Sequence, residues 1–371
     1  MKEGKKMSNL LEKYDKNMVT CSFSDEQYNY YEIKNKPFRI EGLGWFDQEK
    51  EYFRLPKNSQ SQVSEAVYWL ASHPAGAQLH FQSNSKTIVI KVKLAASANM
   101  THMTGVGQAG FDLYYRNLKE KKYHFFTSTK YPYGEVEYST ILYQSDKEEI
   151  KDFLIHFPLY MGVKEIHIGL EKDAILLPAT PRKNQKKVVI YGTSITQGGC
   201  ATRPGMAYTN ILSRQLDIEF INLGFSGSGL GELVMAELIT KIDDVSLIIL
   251  DYDANGGCTG DLEKNMKNFI SILRKKFKDI PILVLSKPPF TNYVFLNEEI
   301  ELRKRLVTFQ KNLVQERNQN QDLQIYFLDG NTLYGKDWEE CTVDGIHPTD
   351  LGFYKMSKTL LPILKQLLHF K

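Results

Sequence analysis

The chain has 371 residues, 42% hydrophobic and 25% charged, the profile of a globular protein long enough to build two cores. Its 47 Lys and Arg against 44 Asp and Glu leave a formal charge of +3, which excludes a general electrostatic pull toward nucleic acid or an anionic membrane. Cys21, Cys200, Cys258 and Cys341 stand singly and far apart, so neither a disulfide framework nor a C-x-x-C metal or redox pair is expected.

The first residues, Met1 to Met7, carry charge with no apolar stretch behind them, so no secretory signal is visible and a cytoplasmic location is the expectation. No run reaches the ~20 apolar residues of a membrane span. Residues 1–35 read as an N-terminal tail. Residues 36–180 read as a β-sandwich of jelly-roll kind, because short aromatic and β-branched runs alternate with turn residues. Thr87–Leu94, Phe111–Tyr115, Lys122–Phe126 and Val163–Leu170 are such runs. The Tyr68-Trp69 pair reads as buried core rather than as a sugar platform. The basic runs at 182–187 and 274–278 read as solvated surface.

A polar, proline-bearing connector, Pro178 to Lys187, precedes a change of rhythm. From residue 185 to 371, compact apolar runs alternate with helical stretches. The runs at 188–191, 218–223, 245–250, 280–285 and 323–328 have the look of strands buried on both faces. Helices are expected at about 205–216, 230–242, 262–277, 298–315 and 350–368. This is the pattern of an α/β/α doubly wound parallel sheet, whose ligands sit beyond the carboxyl ends of the strands.

What stands at those ends is chemically pointed. Ser194 follows the first strand in Gly192-Thr-Ser-Ile-Thr-Gln-Gly198, displayed as a nucleophile needs to be, although a serine there also serves as a plain helix cap. Gly224 follows the second strand and offers an uncovered N–H, or a merely flexible loop. Asn255 follows the third and offers a side-chain amide, or an ordinary turn. Asp344 and His347, three apart with a glycine between them, are spaced for a carboxylate to hold an imidazole by Nδ1–H and leave Nε2 free. Seven other histidines are scattered, six of them in the β half and His369 in the C-terminal tail.

These blocks, in this order, resemble those of the SGNH hydrolases, also called GDSL-like esterases. The segment Ala109-Gly110-Phe-Asp-Leu-Tyr114 resembles the Gly-x-Asp-Leu-Tyr stretch of the β-sandwich that precedes some of them. The resemblance implies Ser194 as nucleophile and Asp344 and His347 as its acid and base. It places the oxyanion hole at Ser194, Gly224 and Asn255. Two departures stand out: Thr193 replaces the first-block Asp, which puts the bracing of the loop in question, and Asp-Ala-Asn255-Gly replaces Gly-x-Asn-Asp.

Competing motifs fail on context. Gly105-Val-Gly107-Gln-Ala-Gly110 fits a dinucleotide fingerprint but follows no buried strand. Thr196 excludes the G-x-S-x-G elbow. No helix carries His or Glu at metal spacing, so neither a metal nor another cofactor is expected. The expected activity is hydrolysis of a carboxylic ester, with an O-acetyl group on a sugar or oligosaccharide implied by the resemblance alone. The alternatives are a lysophospholipase or thioesterase, and a carbohydrate-binding protein with a decayed hydrolase half. No nucleic-acid or membrane partner is expected, and the sequence leaves the oligomeric state open.

Overall fold

The structure, a computed structural model, describes residues 14–15 and 24–370. Cys21 and most of the expected tail lie outside the described residues. Ten strands build the N-terminal half: β1 (Tyr28–Glu32), β2 (Arg39–Glu41), β3 (Gln78–Ser83), β4 (Thr87–Leu94), β5 (Asp112–Asn117), β6 (His124–Ser128), β7 (Glu137–Gln144), β8 (Lys151–His156), β9 (Val163–Glu171) and β10 (Leu176–Leu177). They form two antiparallel sheets, β1-β9-β4-β7 and β10-β3-β8-β5-β6, with β2 paired to β3. The alternation in β4 sends Ile88, Ile90, Val92 and Leu94 inward to meet Phe81, Leu113, Phe153 and Ile155 of the other sheet. Lys91 and Lys93 face out.

The tail expected through residue 35 ends earlier. β1 lies inside it and pairs antiparallel with β9, Tyr30 opposite Gly169. The aromatic ring of Tyr30 fills the space that a Cβ on Gly169 would need. The run Tyr-Asn-Tyr-Tyr is itself a strand signal, hidden by its polar neighbours.

The second half is a five-stranded parallel sheet of β11 (Lys187–Gly192), β12 (Glu219–Gly224), β13 (Val245–Asp251), β14 (Ile282–Leu285) and β15 (Ile325–Leu328), in the order β12-β11-β13-β14-β15. The main helices, in chain order, are α1 (Glu65–Ala71), α2 (Gly105–Ala109), α3 (Ser194–Gln197), α4 (Tyr208–Leu216), α5 (Leu233–Ile239), α6 (Asp253–Thr259), α7 (Asp261–Lys276), α8 (Asn297–Gln319) and α9 (Asp350–Leu367). Along β11, Val188 and Ile190 face α4 and α9, while Val189 and Tyr191 face α5, α7 and α8. β11 to β14 therefore bury both faces, which is why their sequences read as continuous apolar runs, while the edge strand β15 leaves Tyr326 exposed. Among the described residues no helix is long and apolar enough to cross a membrane.

The expected boundary at 36–180 is not a packing boundary. Trp45, Leu55, Val63 and α1 pack onto the parallel sheet beside Ile221, Leu223 and Phe225. β12 is an edge strand, and this excursion covers it. Arg54 lies fully buried in the cover, donating to the carbonyls of Asn222, Gly224 and Leu70. Within α1, Tyr68 packs against Phe53 as expected, but Trp69 is 63% exposed and lies edge-on to His73. The helix has a wet side, and Trp69 is on it.

The Gly-x-Asp-Leu-Tyr segment proves to be a joint between the halves. Asp112, fully buried on β5, accepts from Arg203 at 2.7 Å and from the Gly205 N–H at 2.8 Å through one carboxylate oxygen. Its other oxygen meets His156 Nδ1 at 2.9 Å. Burial pushes the His156 imidazole down to about 4. Arg214 donates to its Nε2 at 3.1 Å, so the proton sits on Nδ1 and faces Asp112. Tyr114 Oη accepts from the same Arg203. Asp112→Ala leaves Arg203 and the buried His156 without their carboxylate and should cost about 3–5 kcal/mol, measured as a lower midpoint of guanidinium unfolding. An unchanged midpoint would remove Asp112 from this joint.

Candidate active site

The carboxyl ends of three adjacent strands meet at one level, with Gly192 of β11 in register with Gly224 of β12 and with Asp251 of β13. Gly192 must be glycine, since a Cβ there would stand 1.9 Å from Thr196 Oγ1. The chain then turns into the single-turn helix α3, with Thr193 as its N-cap accepting from Ile195 N–H at 3.3 Å. Ser194 is the first helical residue, 6% exposed, and its own N–H has no hydrogen-bond partner among the described residues.

The missing first-block Asp is replaced by a different brace. Thr196 Oγ1 donates to Asp251 Oδ2 at 2.8 Å, and Tyr208 Oη donates to the same oxygen. Burial pushes the Asp251 carboxyl up to about 7 despite these two donors. The folded state therefore holds a proton here that the unfolded chain has lost, so this contribution to stability is full below about pH 4 and disappears as pH rises through about 7. Asp251→Asn should accordingly flatten the fall in thermal midpoint across that window. A wild-type slope in the variant would assign the pH dependence to another group.

Asp344 and His347 come from the loop after β15. Val343 N–H bonds His347 carbonyl at 2.9 Å and Thr342 bridges to Pro348, closing the segment into a tight turn. Gly345 takes φ 87° inside it, a left-handed conformation that favours glycine. Asp344 Oδ1 accepts from the N–H groups of Ile346 at 3.0 Å and His347 at 2.7 Å. Asp344 Oδ2 meets His347 Nδ1 at 2.7 Å, and His347 Nε2 meets Ser194 Oγ at 2.9 Å. Partial burial works to raise the Asp344 carboxyl, but the hydrogen bonds from His347 and Ile346 hold it below the ordinary carboxylate value. The structure thus brings Ser194, His347 and Asp344 into one hydrogen-bonded line.

Gly224 is placed differently from its expected role. It is fully buried, its N–H donates to Asn222 Oδ1 at 2.9 Å, and a Cβ on it would lie 2.4 Å from the backbone nitrogen of Gln197. It is a glycine because the Ser194 turn packs directly on it, and its N–H is spent. The uncommitted group is three residues on. Gly227 has φ 67°, open space where a Cβ would stand, and no partner for its N–H among the described residues. Its loop is strapped to the Ser194 turn: Ser226 N–H donates to Gln197 Oε1 at 3.0 Å, and a Cβ on Gly229 would lie 2.3 Å from the Gly192 carbonyl.

Asn255 sits on α6, not in an open Asn-Gly-Gly turn. Its Oδ1 accepts from Gly229 N–H at 3.4 Å, which turns the amide toward the same strap and leaves its Nδ2 hydrogens uncommitted. Asp253, standing where the usual third-block glycine would be, is buried and accepts from Lys287 N–H at 2.9 Å and Gln310 Nε2 at 3.0 Å. It fixes α6 from below.

The β-sandwich also reaches the site. His102 is exposed, and its ring lies edge-on to that of His347 with centroids 5.7 Å apart. Its loop is pinned by Gln108, which accepts from the N–H groups of Asn99 and Met100, and by Thr104 Oγ1 donating to the Thr202 carbonyl. The Gly105–Gly110 stretch, rejected as a dinucleotide site, is the short helix α2, whose Gly107 lets the Ala201 carbonyl approach. Nothing in local spacing singled out His102 or Gly227. Both depend on contacts between segments far apart in the chain.

The sequence matches the GDSL-like lipase/acylhydrolase family over residues 185–365 and the N-terminal domain of SGNH-hydrolase-type esterases over residues 28–176. A protein from Bacteroides ovatus ATCC 8483 described as a GDSL-like lipase shares 30% identity, with 93% of this chain and 99% of that one covered, at a TM-score of 0.85. The protein belongs to the GDSL-like lipase/acylhydrolase family. As a GDSL-like, SGNH-type hydrolase it is an ester-hydrolysing enzyme. Two further structures share its fold at low identity. The salicylyl-acyltransferase SsfX3 from a tetracycline biosynthetic pathway has 15% identity, covers 93% of this chain and 98% of its own, and has a TM-score of 0.76. The acetyl xylan esterase Est2A from the rumen bacterium Butyrivibrio proteoclasticus has 13% identity, covers 92% of this chain and 100% of its own, and has a TM-score of 0.61. No curated protein sequence matches the chain.

Proposed function

We propose that this hydrolase removes short acyl groups, above all O-acetyl groups on a sugar or oligosaccharide, through an acyl-enzyme on Ser194. The carrying observation is the continuous line from Asp344 Oδ2 through His347 to Ser194 Oγ, at 2.7 and 2.9 Å. Ser194 Oγ attacks the ester carbonyl while its proton passes to His347 Nε2, and Asp344 holds the imidazole by Nδ1–H as it becomes charged. The oxyanion that forms takes the uncommitted donors: the N–H of Ser194, the N–H of Gly227 in place of Gly224, and the Asn255 amide. The alcohol leaves with the proton from His347. Water, deprotonated by the same imidazole, then attacks the acyl-enzyme and frees the carboxylate.

The preference for a short acyl chain is supported by the surroundings of the serine. Phe225, an apolar residue in the neighbouring loop, is buried with the Arg54 guanidinium 4.6 Å from its ring. Met206 lies in a cleft with Tyr114 and Arg203 instead. The sugar ester is supported by the fold shared with an acetyl xylan esterase over 92% of this chain and 100% of that one. The test is acetate release from acetylated mono- and oligosaccharides, with a p-nitrophenyl series from acetyl to octanoyl alongside. The expected result is release from at least one acetylated sugar and a steep fall along the series. Equal rates at octanoyl would overturn the short-chain preference and favour a lysophospholipase or thioesterase. Asn255→Ala should lower kcat by about a hundredfold to a thousandfold, some 3–4 kcal/mol, in steady-state kinetics. A near wild-type rate would take Asn255 out of the oxyanion hole.

A further inference from the structure

We propose that His102, Cys200 and His347 form a binding site for a zinc-class divalent transition-metal ion, and that the ion switches the hydrolase off by capturing His347. One donor atom from each of the three lies within 4.8 Å of the others. Two imidazoles and a thiol are the mixed nitrogen–sulfur set that zinc and its neighbours favour. Donors around a tetrahedral zinc stand roughly 3.3–3.6 Å apart, so the set needs to close by about 1 Å, which the exposed side chain of His102 is free to supply.

The three residues come from separate segments that the fold ties together. Cys200 N–H donates to the Pro348 carbonyl at 3.2 Å, which fixes the cysteine beside the residue that follows His347. His102 arrives from the β-sandwich on a loop pinned by Gln108 and Thr104. Cys200 is buried, and no hydrogen-bond partner of its sulfur is found among the described residues, so the triad makes no use of it. The carboxylate of Asp344, which already accepts from His347 Nδ1, is the kind of partner that orients a metal-bound imidazole. Binding forms a metal–sulfur bond in place of the S–H bond and releases that proton to solvent, with no change of oxidation state. Three protein donors leave a fourth position open.

Capture of His347 is inhibitory whichever ring nitrogen is taken. Nε2 is the atom that accepts the Ser194 proton, and Nδ1 is the atom that Asp344 holds. This half of the proposal rests on His347 being the general base; the binding half does not.

The test uses the full-length protein freed of metal by EDTA. Cobalt(II) added as a probe should give a thiolate-to-cobalt charge-transfer band with tetrahedral d–d bands, and zinc should displace it. Zinc should abolish p-nitrophenyl acetate hydrolysis, and EDTA should restore it. Cys200→Ser should keep its metal-free rate, lose the charge-transfer band, and need at least about ten to a hundred times more zinc for the same inhibition. His102→Ala should weaken cobalt binding by a comparable factor. Ser194→Ala should still bind cobalt, so a failure of the catalytic reading and a failure of the metal site give different results. Absence of the cobalt–thiolate band, or zinc inhibition unchanged in both the Cys200 and His102 variants, would overturn the site. A band with full activity remaining would overturn the switch.

Discussion

Ser194→Ala should lower kcat by about a thousandfold or more, with the thermal midpoint close to wild type. Among the described residues the side-chain oxygen makes one hydrogen bond, to His347 Nε2 at 2.9 Å, and the turn around it is held by other atoms. Thr193, Thr196 and Asp251 brace that turn, and Gly192 and Gly224 allow its close packing. Removing the oxygen therefore deletes the nucleophile and little else. The residual rate measures what the oxyanion donors and binding supply alone. Steady-state kinetics on p-nitrophenyl acetate, with a melting curve beside them, make the measurement. A variant retaining a tenth or more of the wild-type rate would mean that Ser194 is not the nucleophile.

Asp344→Asn should cost on the order of ten thousandfold in kcat at neutral pH, and a smaller loss than His347→Ala. The two oxygens of Asp344 have separate duties. Oδ1 accepts from Ile346 and His347 N–H and shapes the turn, while Oδ2 accepts from His347 Nδ1. An asparagine keeps the first duty through its own Oδ1. It then presents an NH₂ group to Nδ1, which must become the acceptor and shift the imidazole proton to Nε2, facing Ser194. The turn survives and the tautomer is wrong. Because the Asp344 carboxyl is held below its ordinary value by its donors, its charge is present above about pH 4 and is lost only as pH falls through the lowered value. Protonation of Asp344 accordingly contributes nothing to any loss of activity that begins above that range. Wild-type kinetics in Asp344→Asn would exclude the carboxylate from the relay.

Where one residue's environment decides the outcome, the sequence was readable. Strands buried on both faces announce themselves as apolar runs, so β11 to β14 are legible within a few residues of their ends. Ser194, Asp344 and His347 were legible because each follows a strand, and because Asp-Gly-Ile-His closes on itself locally. The failures share a cause. Gly224 and Gly227 lie in the same glycine-rich loop, and only the packing of Gln197 on one and the Asn222 side chain on its N–H tell them apart. Trp69 reads as core because aromatic residues usually are buried, yet the wet side of α1 is decided by what covers β12. Tyr28–Glu32 looked like tail because its partner, β9, lies more than a hundred residues away. His102 reaches His347 only once the two halves dock through Asp112.

These distant segments converge around one reactive hydroxyl, and covalent modification of that hydroxyl is the direct signature of the convergence. Incubation with a fluorophosphonate followed by peptide mass mapping should place a single adduct on Ser194, absent from Ser194→Ala. An adduct on another residue, or sustained ester hydrolysis by protein carrying no adduct, would contradict it.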